Sequence, residues 1–200
     1  GEEVTRQRYK HKKTKRKESP PPQVIVTGKP VIGKTTLCQG LARHYDLVYI
    51  HMEDLVTESI NLGTDIGREI QTARVAGAPV PDDALIDLFM RRIDQPDALE
   101  QGWVLDDFPL DVAQAESLIA NDIEVDYLVT LEVPPGTDFE PIMKDRMDLG
   151  QVDPDTGKIY HTKYFPAPED PAIQSRLVPR KDRGQIALDH SKKLARYISN

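Results

Sequence analysis

The sequence predicts an α/β fold in which helices cover both faces of a parallel sheet. Short apolar, β-branched segments such as QVIVT (23–27) and LVYIH (47–51) have the length and composition of buried strands. They alternate with segments whose apolar residues recur at helical spacing, and this alternation is typical of parallel strands joined by helices. The chain has 200 residues, 38% of them apolar, which is enough for one domain with a core, or one domain and a tail.

The individual elements follow from apolar periodicity and from Gly and Pro punctuation. Gly28 ends the first strand, and Leu37 and Leu41 share one face of the helix that follows it. The predicted strands are 23–27, 47–51, 103–106 and 127–133. The predicted helices are 34–45, 53–61, 64–76, 82–93, 111–120, 136–149 and 181–198. A stretch rich in Pro, Gly and Asp separates the last two helices.

Charge divides the chain into two parts. Residues 1–18 carry eight Lys/Arg and three Glu, a net charge of +5, whereas the whole chain is −7, so the remainder carries −12. With the stiff SPPPQ segment (19–23), this predicts a basic arm over 1–22 and a folded domain over 23–200. The arm is either a solvated linker or, through residues 6–17, a docking element for an acidic surface such as a protein filament. One aromatic residue and no apolar helical face argue against sequence-specific nucleic-acid binding.

Cysteine content and hydropathy indicate the compartment. Cys38 is the single cysteine, which excludes a disulfide framework in this sequence and favours a reducing, cytoplasmic environment. No apolar run approaches the roughly 20 residues needed to cross a bilayer, so no membrane partner is expected. The sequence starts at Gly1 instead of Met, so its natural N-terminus cannot be judged.

The segment GKPVIGKTT (28–36) fits the pattern G-x-x-x-x-G-K-[ST] between a predicted strand and a predicted helix. Gly28 and Gly33 permit positive φ, so the backbone N–H groups can converge on an anion at a helix N-terminus. In such a loop Lys34 reaches the β- and γ-phosphates, and Thr35 or Thr36 helps to hold Mg²⁺. The segment predicts a P-loop NTPase fold that binds ATP and Mg²⁺; a tight turn that binds no phosphate is the alternative.

A second segment, GWVLDDFPLD (102–111), delivers Asp106 and Asp107 to the end of a buried strand. An acid beside a phosphate loop commonly holds Mg²⁺ through water, which we expect of Asp106. The alternative is that Asp106 caps the next helix, although Asp111 is better placed for that role.

These segments, together with DPDTGKIYHTKYFPAPEDPAIQSRLVPRKDR (153–183), resemble the adenylate kinase (nucleoside monophosphate kinase) family over residues 24–198. The resemblance implies a three-layer sandwich, a small lid at about 150–181, and a helical arm that binds the monophosphate. It also implies that the closing strand and last helix of the family are missing here. The segment DPDTGKIYH and the basic arm are most similar to those of adenylate kinase domains in ciliary and sperm-flagellar proteins. That implies an axonemal location and protein partners in a larger assembly.

The resemblance also implies roles for single residues. Lys34 and Arg180 match residues that contact the transferred phosphoryl group, and Arg146 matches an arginine that packs on the ATP base. Asp54 and Gln114 match positions that bind the acceptor nucleotide.

Other positions depart from the family pattern. Family arginines are replaced at five positions: Thr57, Leu110, Gly150, Gln151 and Ser191. Asp107 stands where the family has glycine, which places a carboxylate near the acceptor phosphate. One arginine that stabilises a transferring phosphoryl group contributes roughly 10³ to 10⁵ in rate, so these losses predict little transfer.

Two functions remain open at this point. The sequence favours a degenerate kinase domain that binds ATP weakly or not at all and serves as an interaction module of a larger assembly. The alternative is an active ATP:nucleoside monophosphate phosphotransferase that replaces the missing arginines with Arg68, Arg74, Arg91, Lys192 or residues of a partner. A P-loop switch protein is a weaker third possibility, because switch NTPases have no lid insert.

Overall fold

The computed structural model describes residues 20–148, 150–156 and 158–179. Its central sheet consists of four parallel strands in the order β2-β3-β1-β4. The strands are β1 (Gln23–Gly28), β2 (Val48–His51), β3 (Trp103–Asp106) and β4 (Tyr127–Leu131). In the ladder, Val26 of β1 and His51 of β2 both pair with Asp106 of β3. The carboxyl ends of the strands therefore meet at one edge of the sheet, where α/β proteins place their sites.

Helices cover both faces of this sheet, as predicted. The helices are α1 (Lys34–Tyr45), α2 (Met52–Asn61), α3 (Asp65–Val75), α4 (Asp82–Ile93), α5 (Pro96–Gln101), α6 (Val112–Ala120), α7 (Phe139–Asp148) and α8 (Pro171–Gln174). Among the described residues, no helix has the length and apolarity to cross a membrane.

Alternating residues of the strands form two cores. On one face, Ile25 and Leu105 pack with Phe89 of α4 and with Trp103, whose ring meets Phe89 edge-on at 5.1 Å. On the other face, a second cluster of buried residues consists of Val24, Val26, Cys38, Leu47 and Val104. Each large side chain buried here contributes roughly 1.5–3 kcal/mol, so these cores fix α1 and α4 against the sheet.

The predicted helical arm is formed by α2, α3 and α4. Thr64 caps α3, because its Oγ1 accepts a hydrogen bond from the N–H of Gly67 at 3.0 Å. A Cβ on Gly67 would lie 2.1 Å from the carbonyl oxygen of Ser59, so glycine allows α2 and α3 to approach closely. Pro81 precedes α4 and closes the GAPVP turn.

The lid is a small antiparallel sheet in the order β6-β5-β7, built from β5 (Gly150–Val152), β6 (Ile159–His161) and β7 (Val178–Pro179). Asp153 is 1% exposed and accepts two hydrogen bonds from the guanidinium of Arg176, both at 2.7 Å. The Thr156 hydroxyl also donates to it. This buried ion pair joins the two ends of the lid.

Several boundaries differ from the predicted ones. The predicted strand 127–133 ends at Leu131, three residues before Pro134, because residues near proline disfavour ladder pairing. The predicted helix 136–149 begins only at Phe139, after Gly136 with φ 80°. The six-residue α5 and the short lid strands were not predicted, because they are too short to show periodicity. Residues 1–19 and the predicted helix 181–198 lie outside the described residues, so the domain boundaries stay a prediction.

Candidate functional site

The predicted phosphate loop lies between β1 and α1. Gly28 has φ 137°, and a Cβ there would lie 2.4 Å from the carbonyl oxygen of Leu131, so only glycine fits. Gly33 has φ 117° and caps α1, and a Cβ added to it would meet no other atom within 4 Å, so this side of the loop is open. Glycine at both positions lets the loop present its N–H groups and the N-terminus of α1 to one point.

Three side chains predicted for this loop are brought together there. The ammonium of Lys34 donates hydrogen bonds to the carbonyl oxygens of Gly28, at 3.0 Å, and of Lys29, at 3.1 Å. Thr35 and Thr36 open α1 and are exposed to solvent. The Lys34 ammonium is thus held on the loop backbone, and the roles of Lys34, Thr35 and Thr36 in binding phosphate and Mg²⁺ stay predictions.

Arg146 reaches the same loop from α7. Its Nη1 donates to the carbonyl oxygens of Val31, at 2.8 Å, and of Ile32, at 3.0 Å, although more than 100 residues separate them along the chain. Val31 has φ 64°, a left-handed conformation that β-branched residues rarely adopt. The guanidinium of Arg146 also lies over the ring of Tyr164, 5.2 Å from its centroid. Arg146 thus connects the loop to the lid, on the side where a bound base is expected.

Asp106, the predicted metal-holding acid, is fully buried at the end of β3. Its Oδ2 accepts a hydrogen bond from the hydroxyl of Tyr49 at 2.9 Å, and its Oδ1 has no partner. A buried carboxylate oxygen without a partner is rare in proteins, and a Mg²⁺-bound water would satisfy it. Within the described part of the chain, no group of three or more His, Cys, Asp and Glu residues could hold a metal. Asp106, through a bound water, and Thr35 would therefore hold Mg²⁺ from the protein side, and few protein ligands beside phosphate and water suit this ion.

Two side chains beside Asp106, the Cys38 thiol and the Tyr49 hydroxyl, stay neutral. Burial, reinforced by the carboxylate of Asp106, raises the pKa of the Cys38 thiol to about 12. The same two causes raise the pKa of Tyr49 above its ordinary value. Its hydroxyl therefore stays protonated and donates a hydrogen bond to Asp106. Cys38 has no exposed surface, which confirms that it is packed, and a neutral buried thiol is inert.

A cleft of about 480 Å³ separates the phosphate loop from the segment after β3; we call it the loop cleft. Lys34 and Gly28 lie on one wall, and Asp107 and Leu110 lie on the other. Asp107 has φ 64°, a conformation that glycine adopts without strain and aspartate adopts at some cost. Among the described residues that line the cleft, Lys34 is the one cation, and it faces the carboxylates of Asp107 and Asp111.

The two residues predicted to bind the acceptor lie outside the lining of this cleft. The side chain of Asp54 on α2 is 78% exposed, and its Oδ1 lies 3.4 Å from Nδ1 of His51. Gln114 is 1% exposed: its Nε2 donates to Oδ1 of Asp82 at 2.7 Å, and its Oε1 accepts from the N–H of Leu110 at 2.7 Å. Its amide therefore joins α4 to α6, and contact with a base would require it to exchange these partners.

Asp111 caps α6, as predicted, because its Oδ1 accepts from the N–H of Gln114 at 2.9 Å. This removes the alternative that Asp106 caps the helix, and its role as a metal-holding acid stays a prediction.

The arginines that the sequence offers as substitutes are paired with acids of their own arm. Arg68 pairs with Asp65, Arg74 with Glu53 at 2.8 Å, and Arg91 with Asp87 at 3.1 Å. Thr57, at one of the family's arginine positions, is exposed on α2. Arg180, Ser191 and Lys192 lie outside the described residues, so the predicted role of Arg180 is not addressed by the geometry.

Sequence reasoning missed two contacts that build the site. Tyr49 holds Asp106, and His161 ties the lid to α7: its Nε2 donates to the carbonyl oxygen of Asp145 at 2.9 Å, while Nδ1 accepts from the N–H of Lys163 and of Tyr164, both at 3.1 Å. No local sequence pattern predicts either contact, because the partners are far apart in sequence or involve backbone atoms.

Comparison with known proteins decides the family. A sequence profile described as "Adenylate kinase" matches residues 26–195 of this chain. The chain belongs to the adenylate kinase family. The family's parallel sheet flanked by helices, with a phosphate loop after the first strand, agrees with the observed fold.

Three relatives carry adenylate kinase names. The chain is 37% identical to "Probable adenylate kinase 2, chloroplastic" of Oryza sativa subsp. japonica over 162 residues, 81% of this chain and 54% of that protein. It is 36% identical to "Adenylate kinase, chloroplastic" of Zea mays, covering 81% of this chain and 70% of that protein. It is 33% identical to "Adenylate kinase" of Hamiltonella defensa subsp. Acyrthosiphon pisum (strain 5AT), covering 80% and 73%. The chain thus spans between about half and three quarters of these relatives, none of which is named as a ciliary or flagellar protein.

Proposed function

We propose that this adenylate kinase-family domain binds ATP with Mg²⁺ at the phosphate loop and transfers phosphate to a nucleoside monophosphate only slowly. One observation carries the proposal: Lys34 on one wall of the loop cleft faces Asp107 and Leu110 on the other. Among the described residues, the first wall offers a cation to a phosphoryl donor, whereas the second wall offers none to an acceptor phosphate.

The donor side supports ATP binding through three independent features. The loop backbone and the N-terminus of α1 attract the phosphates, Lys34 supplies a positive charge, and Arg146, which contacts the loop, is the residue that the family resemblance assigns to the donor base. Mg²⁺, held by Asp106 and Thr35, would neutralise charge on the phosphates. The oxygen of Asp106 that lacks a partner is the feature that fits this ion.

The acceptor side argues for slow transfer. Phosphoryl transfer depends on positioning and on cations that neutralise the moving group. Asp107 adds a carboxylate to the described cleft lining, and a carboxylate offers a monophosphate no attraction. Leu110 adds no charge, and the nearby Gln114 is engaged with Asp82. An acceptor is therefore expected to bind weakly and to be poorly aligned.

A second candidate, a fully active adenylate kinase, is favoured by the relatives, which carry that name at 33–37% identity. In this candidate, arginines of the arm would turn toward the acceptor on substrate binding. Arg74 would have to leave Glu53, and Arg91 would have to leave Asp87. Such exposed pairs are worth about 0.2–1 kcal/mol each, so an acceptor phosphate could displace them.

One pair of measurements separates the candidates. ATP binding is measured by calorimetric titration with and without Mg²⁺, and turnover of ATP plus AMP is measured in an ADP-coupled assay on the full chain. The proposal expects ATP binding that Lys34→Ala weakens roughly 10- to 100-fold, with turnover far below the usual kinase range of roughly 1–100 per second. Turnover inside that range, lost in Lys34→Ala, would establish the second candidate. Absence of ATP binding in the unmodified chain would refute both.

The larger role we propose is that of an interaction module in a cytoplasmic, axonemal assembly, with the basic residues 6–17 contacting an acidic filament. The net charge of +5 over residues 1–18 supports the contact; the chloroplast and bacterial relatives lend no support to the location. Salt-sensitive co-sedimentation with microtubules, lost on deletion of residues 1–18, is the expected result. Equal sedimentation with and without those residues would refute the contact.

A further inference from the structure

A second groove, of about 390 Å³, lies at the end of the sheet opposite the loop cleft. Its wall includes Gln23, the first residue of β1, whereas the phosphate loop begins at the last residue of that strand. Six strand residues separate the two ends by roughly 17 Å. The groove has an apolar floor and an acidic rim, formed by Met90, Ile93 and Ile123 and by Asp94, Asp122 and Glu124. We call it the acidic groove.

Within the described part of the chain, no cation that lines the groove neutralises the rim carboxylates. Among the described residues that line the groove there is no Lys, Arg or His. The two nearest arginines along the chain are already paired, Arg91 with Asp87 and Arg92 with Asp97 in a bidentate contact at 2.7 and 2.9 Å. Three negative charges beside exposed apolar surface form a surface that suits a basic segment with long aliphatic stems.

The chain enters the domain at the wall of this groove, and its entry is fixed. The carbonyl oxygen of Pro22 accepts a hydrogen bond from the N–H of Trp103 at 3.0 Å. A Cβ on Gly102 would lie 2.2 Å from that same oxygen, so glycine permits the close approach. Gln23 donates from its N–H to Oδ2 of Asp126 at 2.8 Å and accepts at its carbonyl from the N–H of Asp126 at 2.9 Å. The proline segment is thus anchored beside the acidic rim.

The basic residues begin within reach of that anchor. Lys17 is six residues before Gln23, a separation of at most about 21 Å in extended chain. Residues 1–18 carry a net charge of +5, and they include Tyr9, an aromatic side chain able to cover an apolar floor. Because the arm is tethered at the groove, its effective concentration there is in the millimolar range, so individually weak contacts suffice to hold it.

We propose that the basic arm, residues 6–17, docks in the acidic groove of its own domain whenever no acidic filament is bound. Its ammonium and guanidinium groups pair with Asp94, Asp122 and Glu124, and its aliphatic stems and Tyr9 cover the floor between them. The contact is electrostatic in origin and therefore weakens with salt, since the Debye length falls from about 10 Å at 0.1 M to about 3 Å at 1 M. The groove and the loop cleft lie at opposite ends of the sheet, so this proposal does not depend on nucleotide binding.

Energy transfer from Trp103 tests the docking in the full chain. Trp103 is the single tryptophan and lies beside Pro22, and native Cys38 is buried, so Lys12→Cys can be labelled selectively with a dansyl acceptor. The triple variant Asp94→Asn/Asp122→Asn/Glu124→Gln should lower the transfer efficiency at least twofold at low salt. Raising NaCl from about 0.05 to about 1 M should lower it similarly in the unmodified domain.

Two matched variants keep the result interpretable. Glu58→Gln/Glu69→Gln/Glu169→Gln removes the same three charges from exposed positions elsewhere and should leave the transfer unchanged. Lys13→Glu/Lys15→Glu/Lys17→Glu alters only the arm, spares the groove, and should lower the transfer as the groove variant does. Equal transfer efficiency in the groove variant and in the Glu58/Glu69/Glu169 variant would refute the docking. A transfer efficiency that does not respond to salt would refute it as well.

The same labelled protein distinguishes the chain's own groove from that of another copy. A labelled chain carrying Trp103→Phe is mixed with unlabelled chains that retain Trp103. Transfer between the two, increasing with protein concentration, would place the arm on a neighbouring copy and overturn the intramolecular proposal. No transfer in the mixture, with strong transfer within the single chain, is the expected result.

Discussion

The two walls of the loop cleft differ in what holds them in shape. The phosphate loop is fixed by steric demands of its backbone: Gly28 leaves no room for a Cβ against Leu131. The opposite wall carries Asp107 at φ 64° and Leu110, and neither residue supplies a cation. An arginine that contacts only substrate contributes little to packing, so its replacement leaves the fold intact. Glycines that shape a loop cannot be replaced so freely, so the phosphate loop is the more constrained of the two walls.

The helical arm formed by α2, α3 and α4 shows the same contrast between structure and charge. Its helices keep their cap at Thr64 and their close contact at Gly67, which preserve the architecture. Its arginines, in contrast, are engaged with acids of the arm, as Arg74 is with Glu53. The packing of the helices therefore does not depend on unpaired arginine side chains. Substitutions in the cleft and the lid test how far fold and catalytic charge are independent in this domain.

The largest effect is expected from restoring the acceptor wall. Asp107→Gly/Leu110→Arg removes the carboxylate and the left-handed strain and adds a cation in the cleft. We expect the turnover of ATP plus AMP to rise roughly 10³-fold, the lower bound for an arginine at a transferring phosphoryl group. Ile119→Arg adds the same charge to an exposed position on α6, outside the cleft lining, and should change nothing. A rise of less than tenfold would show that Asp107 and Leu110 do not limit transfer.

Breaking the donor wall should have the next largest effect. Lys34→Ala removes the single cation of the described cleft lining, and a hydrogen bond to a charged group is worth about 1.5–3 kcal/mol. The affinity for ATP should therefore fall roughly 10- to 100-fold in calorimetric titration. Lys144→Ala, an exposed position on α7, is the control with equal loss of charge. Unchanged affinity in Lys34→Ala would mean that the loop does not bind ATP.

The metal prediction concerns a single oxygen of Asp106. Asp106→Asn keeps the size of the side chain but removes its charge, so the gain in ATP affinity on adding Mg²⁺ should shrink roughly tenfold. Affinity measured in EDTA should stay close to that of the unmodified protein. Tyr49→Phe removes only the hydrogen bond to Oδ2 and should reduce the Mg²⁺ effect less. If the Mg²⁺ effect survived in Asp106→Asn, the ion would not depend on this carboxylate.

The smallest effect concerns the lid and its dependence on pH. Hydrogen bonds from Arg176, the largest cause, hold the pKa of Asp153 below its ordinary value near 3.9. A carboxyl with a lowered folded-state pKa adds stability above its unfolded value, and that stability is lost as pH falls toward the folded one. Asp153→Asn should therefore lower the melting temperature by a few degrees at pH 7, and the difference should narrow steadily below about pH 4.

A neighbouring acid gives the control for this last test. Asp155 is 68% exposed and lies 3.6 Å from Arg176, so Asp155→Asn should change the melting temperature little at any pH. A difference between Asp153→Asn and the unmodified protein that stays constant from pH 7 to pH 3 would contradict the assignment of the ion pair.

Much of the fold could be predicted from the sequence, and the reason is local. The helix Lys34–Tyr45 and the strand Trp103–Asp106 match their predicted bounds, because apolar periodicity and the flanking glycines lie within a few residues of each other. The lid strands Gly150–Val152 and Ile159–His161 were not predicted, because three residues show no period and their pairing is formed across a loop. The same limit applies to the site. The types of its residues could be predicted from the sequence, whereas the contacts among them could not.

The sequence by itself determined the phosphate loop, the family resemblance and the distribution of charge, since each depends on residue types at short spacing. Tertiary structure alone decided which oxygen of Asp106 is satisfied, and that Gln114 is engaged with Asp82. It also brought Arg146 to the loop, and it placed an acidic groove where the basic arm enters the domain. The physical reason is that hydrogen bonding and electrostatic attraction depend on distance in space, and the partners in these contacts lie between 32 and 115 residues apart or on separate elements.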